Sequence, residues 1–199
     1  MKLESKESTS WRKSKVQSEI LESKHHHTSH AADSHKHESP KKLKIALITV
    51  SSSRFQDKNI SDESGEVALK LCSAAGHECS REIIDDSRSM IRLFLMKSLY
   101  EDGNDVVIFM GGTGLSPRDV TIEAVSPLLD KRLDGFGEIF RKQSFDSIGS
   151  PALMSRSIAG TIETKSVFCL PGSPDATKLG VELALKELPH IAYIASSKP

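Results

Sequence analysis

The chain is poor in aromatic residues, at 5% of 199, and holds one tryptophan and three cysteines. It has no stretch near the roughly 18 consecutive apolar residues of a membrane span. Its opening "MKLESKESTSWRKSKVQSEILESK" lacks the apolar core of a secretory signal. Cys72, Cys79 and Cys169 are an odd number without CxxC spacing, which argues against a disulfide framework or a zinc ribbon and fits a reducing cytoplasm. Net charge is also absent, but unevenly so. Residues 1–44 hold ten Lys/Arg against six Asp/Glu, and the remainder seventeen against twenty-one. A domain with an acidic balance is a poor partner for nucleic acid, so any anion it binds must be held locally.

Residues 1–42 are rich in Ser, Lys, Glu and His and have almost no large apolar side chains. Such a segment buries too little surface to offset its chain entropy, and it is expected to be a disordered tail with at most a short helix around Val16–Leu21. Within it "HHHTSHAADSHKH" holds six of the eight histidines, either a loose transition-metal ligand set or a solvated tail. Order is expected from residue 43 to 199, as one domain.

That domain opens on "KIALITV", Lys44–Val50, a buried β-branched run. A polar loop is expected next. Ala68, Leu71, Cys72 and Ala75 then mark a helix capped by Ser61 or Asp62 and stopped at Gly76. "HECSREII" reads as a weaker strand, Ile91, Phe94, Leu95 and Leu99 as a second helix, and "DVVIFM", Asp105–Met110, as a second buried strand. A helix from about Thr121, short helices in "GFGEIFRKQSF" and "SPALMSRS", strands near Ser157–Ile162 and Val167–Leu170, and a helix through Leu188 complete the pattern. The last ten residues read as a packed tail or an oligomer contact. Alternating strands and helices predict an α/β fold, a three-layer sandwich whose mainly parallel sheet has helices on both faces.

Ligands of such sheets bind beyond the carboxyl ends of the strands, and the residues of interest all fall there. Val50 precedes Ser51, Ser52, Ser53 and Arg54; Ile84 precedes Asp85 and Asp86. Met110 precedes Gly111, Gly112, Thr113 and Gly114, and Leu170 precedes Pro171, Gly172 and Ser173. No GKS, GKT or GxGxxG occurs, so the glycine loop is either a plain turn or a set of amide donors for an anion. A carboxylate beside such a loop repels an anion unless a cation intervenes. Asp85 and Asp119 would serve as Mg²⁺ ligands; otherwise Asp119 would cap the helix from about Thr121, and Asp85 or Asp86 the helix that follows them. Arg118 and Arg156 match a phosphate or carboxylate in charge, or are surface arginines. No Ser-His-Asp or Cys-His set can be placed.

Seven ordered segments resemble the MoaB/Mog family of molybdenum cofactor biosynthesis: "ALITVSSSR", "DESG", "EIIDD", "GGTGLSPRDVTIEA", "LDGFGEIFR", "SIGSPALMSR" and "FCLPGSP". The likeness covers nearly the whole domain and is nearest to the MoaB branch. It implies a molybdopterin-binding, Rossmann-like fold and ATP- and Mg²⁺-dependent adenylylation of molybdopterin, with release of pyrophosphate. The alternative it leaves is a module that binds molybdopterin without catalysis. Asp85 and Asp119 match the family's catalytic, metal-binding aspartates. Ser51, Ser52, the glycine loop, Arg118, Arg156, Pro171, Gly172 and Ser173 fall in its molybdopterin- and nucleotide-binding segments. Phe109 and Met110 depart from the hydroxyl residues that often precede the loop. The resemblance further implies homotrimers or hexamers and a downstream metal-insertion protein as partner; the apolar, short-helical segment Gly135–Ser155 is expected to form part of the contact.

Overall fold

The computed structural model describes Pro40 and residues 42–197. The expected tail and its short helix lie outside the described residues, Pro40 and Lys42 excepted. Six strands form one sheet: β1 (Lys44–Val50), β2 (Glu78–Ile84), β3 (Val106–Met110), β4 (Lys131–Arg132), β5 (Ile158–Ile162) and β6 (Lys165–Leu170). Their order is β2-β1-β3-β6-β5-β4. β2, β1, β3 and β6 run parallel, while β5 and β4 are antiparallel to their neighbours. The helices are α1 (Ser52–Gln56), α2 (Glu63–Ala74), α3 (Arg88–Met96), α4 (Thr121–Val125), α5 (Asp134–Ile148) and α6 (Pro174–Ser196). A π-helical turn, Lys97–Glu101, continues α3, and 3-10 turns cover Ser126–Leu128 and Ser150–Met154.

The strand alternation sorts the core into two layers. Ile45 and Leu47 of β1, Val106, Ile108 and Met110 of β3, and Phe168 and Leu170 of β6 face α2 and α6, where they meet Ala68, Cys72, Val181, Ala184 and Leu188. Ala46, Ile48, Val107, Phe109, Val167 and Cys169 point the other way, onto Ile91, Leu95, Ala124 and Val125 of α3 and α4. All five residues of β3 are buried. Helices therefore cover both faces, and the mainly parallel three-layer sandwich is the observed fold. α5 adds Phe140 to the core and sets the Phe136 ring edge-on to Phe168, with centroids 5.2 Å apart.

Several local expectations change. The polar loop after β1 contains α1, which buries no residue and is held by its cap: Ser51 Oγ accepts from Arg54 N–H. Asp62, not Ser61, caps α2. Its carboxylate accepts from Gly65 N–H at 3.1 Å and from the Thr49 hydroxyl at 2.9 Å, which fastens the helix to the end of β1. Ser87 caps α3, which releases Asp85 and Asp86 from that role. The last helix does not stop at Leu188: it runs through Pro189 to Ser196. Buried Leu188 and Ala192 on either side keep its face on the core despite the missing proline N–H.

Between α2 and β2, His77 is packed with its Nδ1 accepting from Leu43 N–H at 3.3 Å. Burial lowers its pKa from the ordinary 6.5, so the folded chain resists protonation. The unfolded chain takes up the proton first. The stability tied to neutral His77 is therefore present above the ordinary value and is lost as pH falls below it. Thermal midpoints should drop between pH about 8 and about 5.5, and His77→Asn, which keeps an acceptor at the Nδ1 position, should flatten that slope. An equal slope in the variant would assign the effect elsewhere.

Candidate functional site

The strand order turns back at β1: β2 lies on one side of it and β3 on the other, which opens a crevice at the carboxyl ends. Three loops meet there. Gly111 N–H donates to the Leu170 carbonyl at 3.0 Å, and the Thr121 hydroxyl and N–H donate to the carbonyls of Gly111 and Gly112 at 2.8 and 2.9 Å. Ser64 Oγ donates to the Gly172 carbonyl at 2.7 Å and so joins α2 to the third loop.

Glycine is required at two of these positions by backbone conformation. Gly111 has φ +101° and Gly112 φ +62°, in the left-handed region that side chains disfavour. Contact forbids a side chain there as well. A Cβ on Gly111 would lie 2.5 Å from the Val50 carbonyl oxygen, and one on Gly112 would lie 2.4 Å from Thr121 Oγ1. On Gly172 a Cβ would come within 2.9 Å of the Gly111 Cα. The loops thus touch backbone to backbone, and this closeness forms the floor of an open cleft of about 360 Å³.

The cleft gathers most of the expected residues. Gly111, Gly112, Thr113, Gly114, Asp119, Arg156, Pro171 and Gly172 line it, with Arg54 beside them. Asp119 is held by its own loop, its Oδ2 accepting from Ser116 N–H at 2.9 Å. It does not cap α4, whose N-cap is Val120 with no side-chain cap hydrogen bond. A Cβ on Gly114 would lie 2.6 Å from Asp119 Oδ2, so the last glycine of the loop leaves room for this carboxylate.

Other expected residues stand off the cleft wall. Arg118 is exposed, with only its N–H bonded, to Ser116 Oγ at 3.4 Å. Ser173 caps α6, accepting from Ala176 N–H at 3.3 Å. Ser51 caps α1, and Ser52 Oγ is hydrogen-bonded to the carboxylates of Asp85 and Asp86, which follow β2, two strands over from the glycine loop. Among the described residues no group of three or more His, Cys, Asp and Glu could hold a metal ion. That is no obstacle to Mg²⁺, which typically takes one or two carboxylates and fills its octahedron with water and substrate phosphates. The thiols take no part. Burial pushes Cys72 up to about 12 and Cys169 higher still.

One partner in the site falls within "GGTGLSPRDVTIEA" without any local pattern that singles it out. Glu123, on α4, accepts a hydrogen bond from Arg156 Nη2, and its other oxygen, Oε2, is shielded from solvent and has no hydrogen-bond partner. Burial raises the Glu123 pKa, but the Arg156 hydrogen bond, its own backbone, and the charges of Arg156 and Arg88 together hold the carboxyl below its usual range. Pro151, Met154 and Ser155 also line the cleft, brought there by the 3-10 turn whose place in the fold local patterns do not reveal.

The comparisons with known proteins agree with this geometry. Residues 46–190 match the family model described as a probable molybdopterin binding domain. The chain belongs to the MoaB/Mog family of molybdenum cofactor biosynthesis. It is 43% identical over 162 residues to molybdenum cofactor biosynthesis protein B of Bacillus cereus, covering 80% of this chain and 94% of that protein. The Bacillus subtilis protein of the same name is 41% identical over 160 residues, covering 79% and 92%. Among solved structures, the tungsten cofactor synthesizing protein MoaB from Pyrococcus furiosus superposes with a TM-score of 0.75 at 35% identity, covering 80% of this chain and all of that one. A crystal structure of molybdenum cofactor biosynthesis protein B gives 0.73 at 42%, covering 79% and 98%. No described helix is long and apolar enough to cross a membrane.

Two substitutions separate the loop's shape from its ligand. Gly112→Ala should lower the unfolding free energy by about 1–3 kcal/mol in denaturant titrations, from the left-handed φ and the Thr121 contact. Gly114→Ala, free of the φ requirement, should cost little stability, shift Asp119, and weaken ligand binding. A Gly112→Ala chain as stable as the parent would contradict the strain argument.

Proposed function

We propose that the chain adenylylates molybdopterin. A terminal phosphate oxygen of the pterin would attack the α-phosphorus of ATP; a new P–O–P bond forms, the α–β bond breaks, and pyrophosphate leaves. The observation that carries this reading is the cleft at the ends of β1, β3 and β6, where exposed backbone, Arg54 and Arg156 favour anions and Asp119 stands among them. Transfer of this kind depends on alignment and charge neutralisation rather than on a protein nucleophile. The glycine-loop amides would orient a phosphate, and Arg156 would offset its charge. Asp119, whose Oδ1 accepts no hydrogen bond among the described residues, and Asp85 would be the protein ligands of Mg²⁺. When bound, that ion neutralises nucleotide phosphate charge. The three free thiols suit a reducing, cytoplasmic setting.

A second reading, molybdopterin binding without catalysis, is favoured by one observation. Asp85 lies off the cleft wall, engaged by Ser52. The two readings part at Asp85→Asn, followed by single-turnover AMP transfer and equilibrium molybdopterin binding. Adenylyl transfer should fall a hundredfold or more, the scale of a lost electrostatic stabiliser, while binding changes little. Near-normal transfer would remove Asp85 from the mechanism. No transfer by the parent chain, with binding intact, would leave the scaffold reading.

The same family resemblance supports homotrimers, singly or paired into hexamers. In the expected contact segment, Ile139, Phe145, Ile148, Leu153 and Met154 are each more than half exposed, Leu153 at 82%. Apolar groups so gathered mark an interaction surface. Light scattering at micromolar protein should give three or six chains, and Leu153→Glu should lower that number. A monodisperse monomer would sink the assembly.

A further inference from the structure

Arg156 and Asp119 line the same cleft, are opposite in charge, and form no ion pair. Arg156 is instead engaged by Glu123, which reaches it from α4. α4 is itself fixed at both ends. Thr121 is bonded through N–H and hydroxyl to the glycine loop, and the Ala124 carbonyl accepts from Arg92 Nε at 3.2 Å. Glu123 is thus carried by a short, anchored helix, whereas Arg156 lies in the connection between a 3-10 turn and β5. The rigid partner of this pair is the carboxylate. A carboxylate oxygen shielded from solvent with no donor is costly, and its nearest compensation is the guanidinium it already holds.

We propose that Glu123 is a positioning residue: it holds Arg156 on its own wall of the cleft, away from Asp119, so that the remaining guanidinium N–H groups face an incoming phosphate. This rests on the reading of the cleft as an anion site. Without Glu123, the carboxylate that shares the cleft lining with Arg156 is Asp119, and a pair between the two would block the cleft and spend both groups. A guanidinium bonded at one nitrogen keeps free donors in a fixed plane, the arrangement that suits forked contact with phosphate oxygens. Glu123 itself does not touch the ligand.

Inorganic pyrophosphate, titrated calorimetrically, is a suitable probe. Glu123→Ala should weaken its binding about tenfold, the scale of one charge-assisted contact. Glu123→Gln, which keeps an acceptor of the same length, should lose less and guards against a chain that fails to fold. The Glu123→Ala/Arg156→Ala double variant should bind no worse than Arg156→Ala alone, because one residue acts through the other. The Arg156 Nε–H resonance should be sharp in the parent and broadened in Glu123→Ala, with or without probe. Parent-like affinity in Glu123→Ala, losses that multiply in the double variant, or an unchanged Arg156 resonance would each overturn the proposal. A parent chain that ignores pyrophosphate while its Arg156 resonance still depends on Glu123 would remove the anion reading and leave the positioning role standing.

Discussion

The contact on which the site depends is the backbone approach of Gly111 to Val50 and Gly172. There is space for a hydrogen atom and none for a methyl group. Because β1, β3 and β6 are adjacent and parallel in register, their carboxyl ends stop at one level, and the loops that follow must share a small volume. Glycine resolves the crowding. It also strips side chains from the floor of the cleft and leaves amide groups and carbonyls as its surface. A packing requirement of the sheet and a chemical property of the site are here the same fact.

Charge is then added from the flanks. Asp119 is folded back onto its own loop by Ser116, Arg156 is brought in by the segment before β5, and Arg54 by the short helix after β1. These groups sit on elements with different anchors: a cap, an ion pair, an exposed turn. The buried Asp62, bonded to Thr49 at the end of β1 and to Gly65 at the start of α2, gives that corner a similar rigidity without entering the cleft. The glycine of "DESG" has a steric origin too, since a Cβ on Gly65 would lie 2.0 Å from Asp62 Oδ2.

Much of this was legible in the sequence because it follows from short-range patterns. The apolar runs of β1 and β3 announce strands buried on both faces, and their ends locate the loops. The glycine cluster announces close backbone approach. What escaped has no such pattern. α1 buries nothing, so it has no periodicity to read, and its cap looks like one more serine in a polar stretch. The helix expected through Leu188 continues past Pro189, where a proline normally ends a helix, and only the burial of Ala192 beyond it shows why this one does not. Asp85 and Asp119 were equally visible as aspartates after strands, yet only Asp119 lines the cleft. The role of Glu123, though it stands in a segment that carries the resemblance, is not legible, because its partner, Arg156, is distant in sequence and meets it only through the fold.

The three loops of the cleft begin at residues 51, 111 and 171. A chain emerging from the ribosome therefore has no binding surface until nearly all of its sheet has been made, and the last wall arrives with the start of α6. Contacts so distant in sequence form late, after the cost of closing long loops has been met. A half-made chain cannot capture a ligand meant for the finished one, and any ligand the cleft takes will stabilise the completed domain rather than a fragment of it.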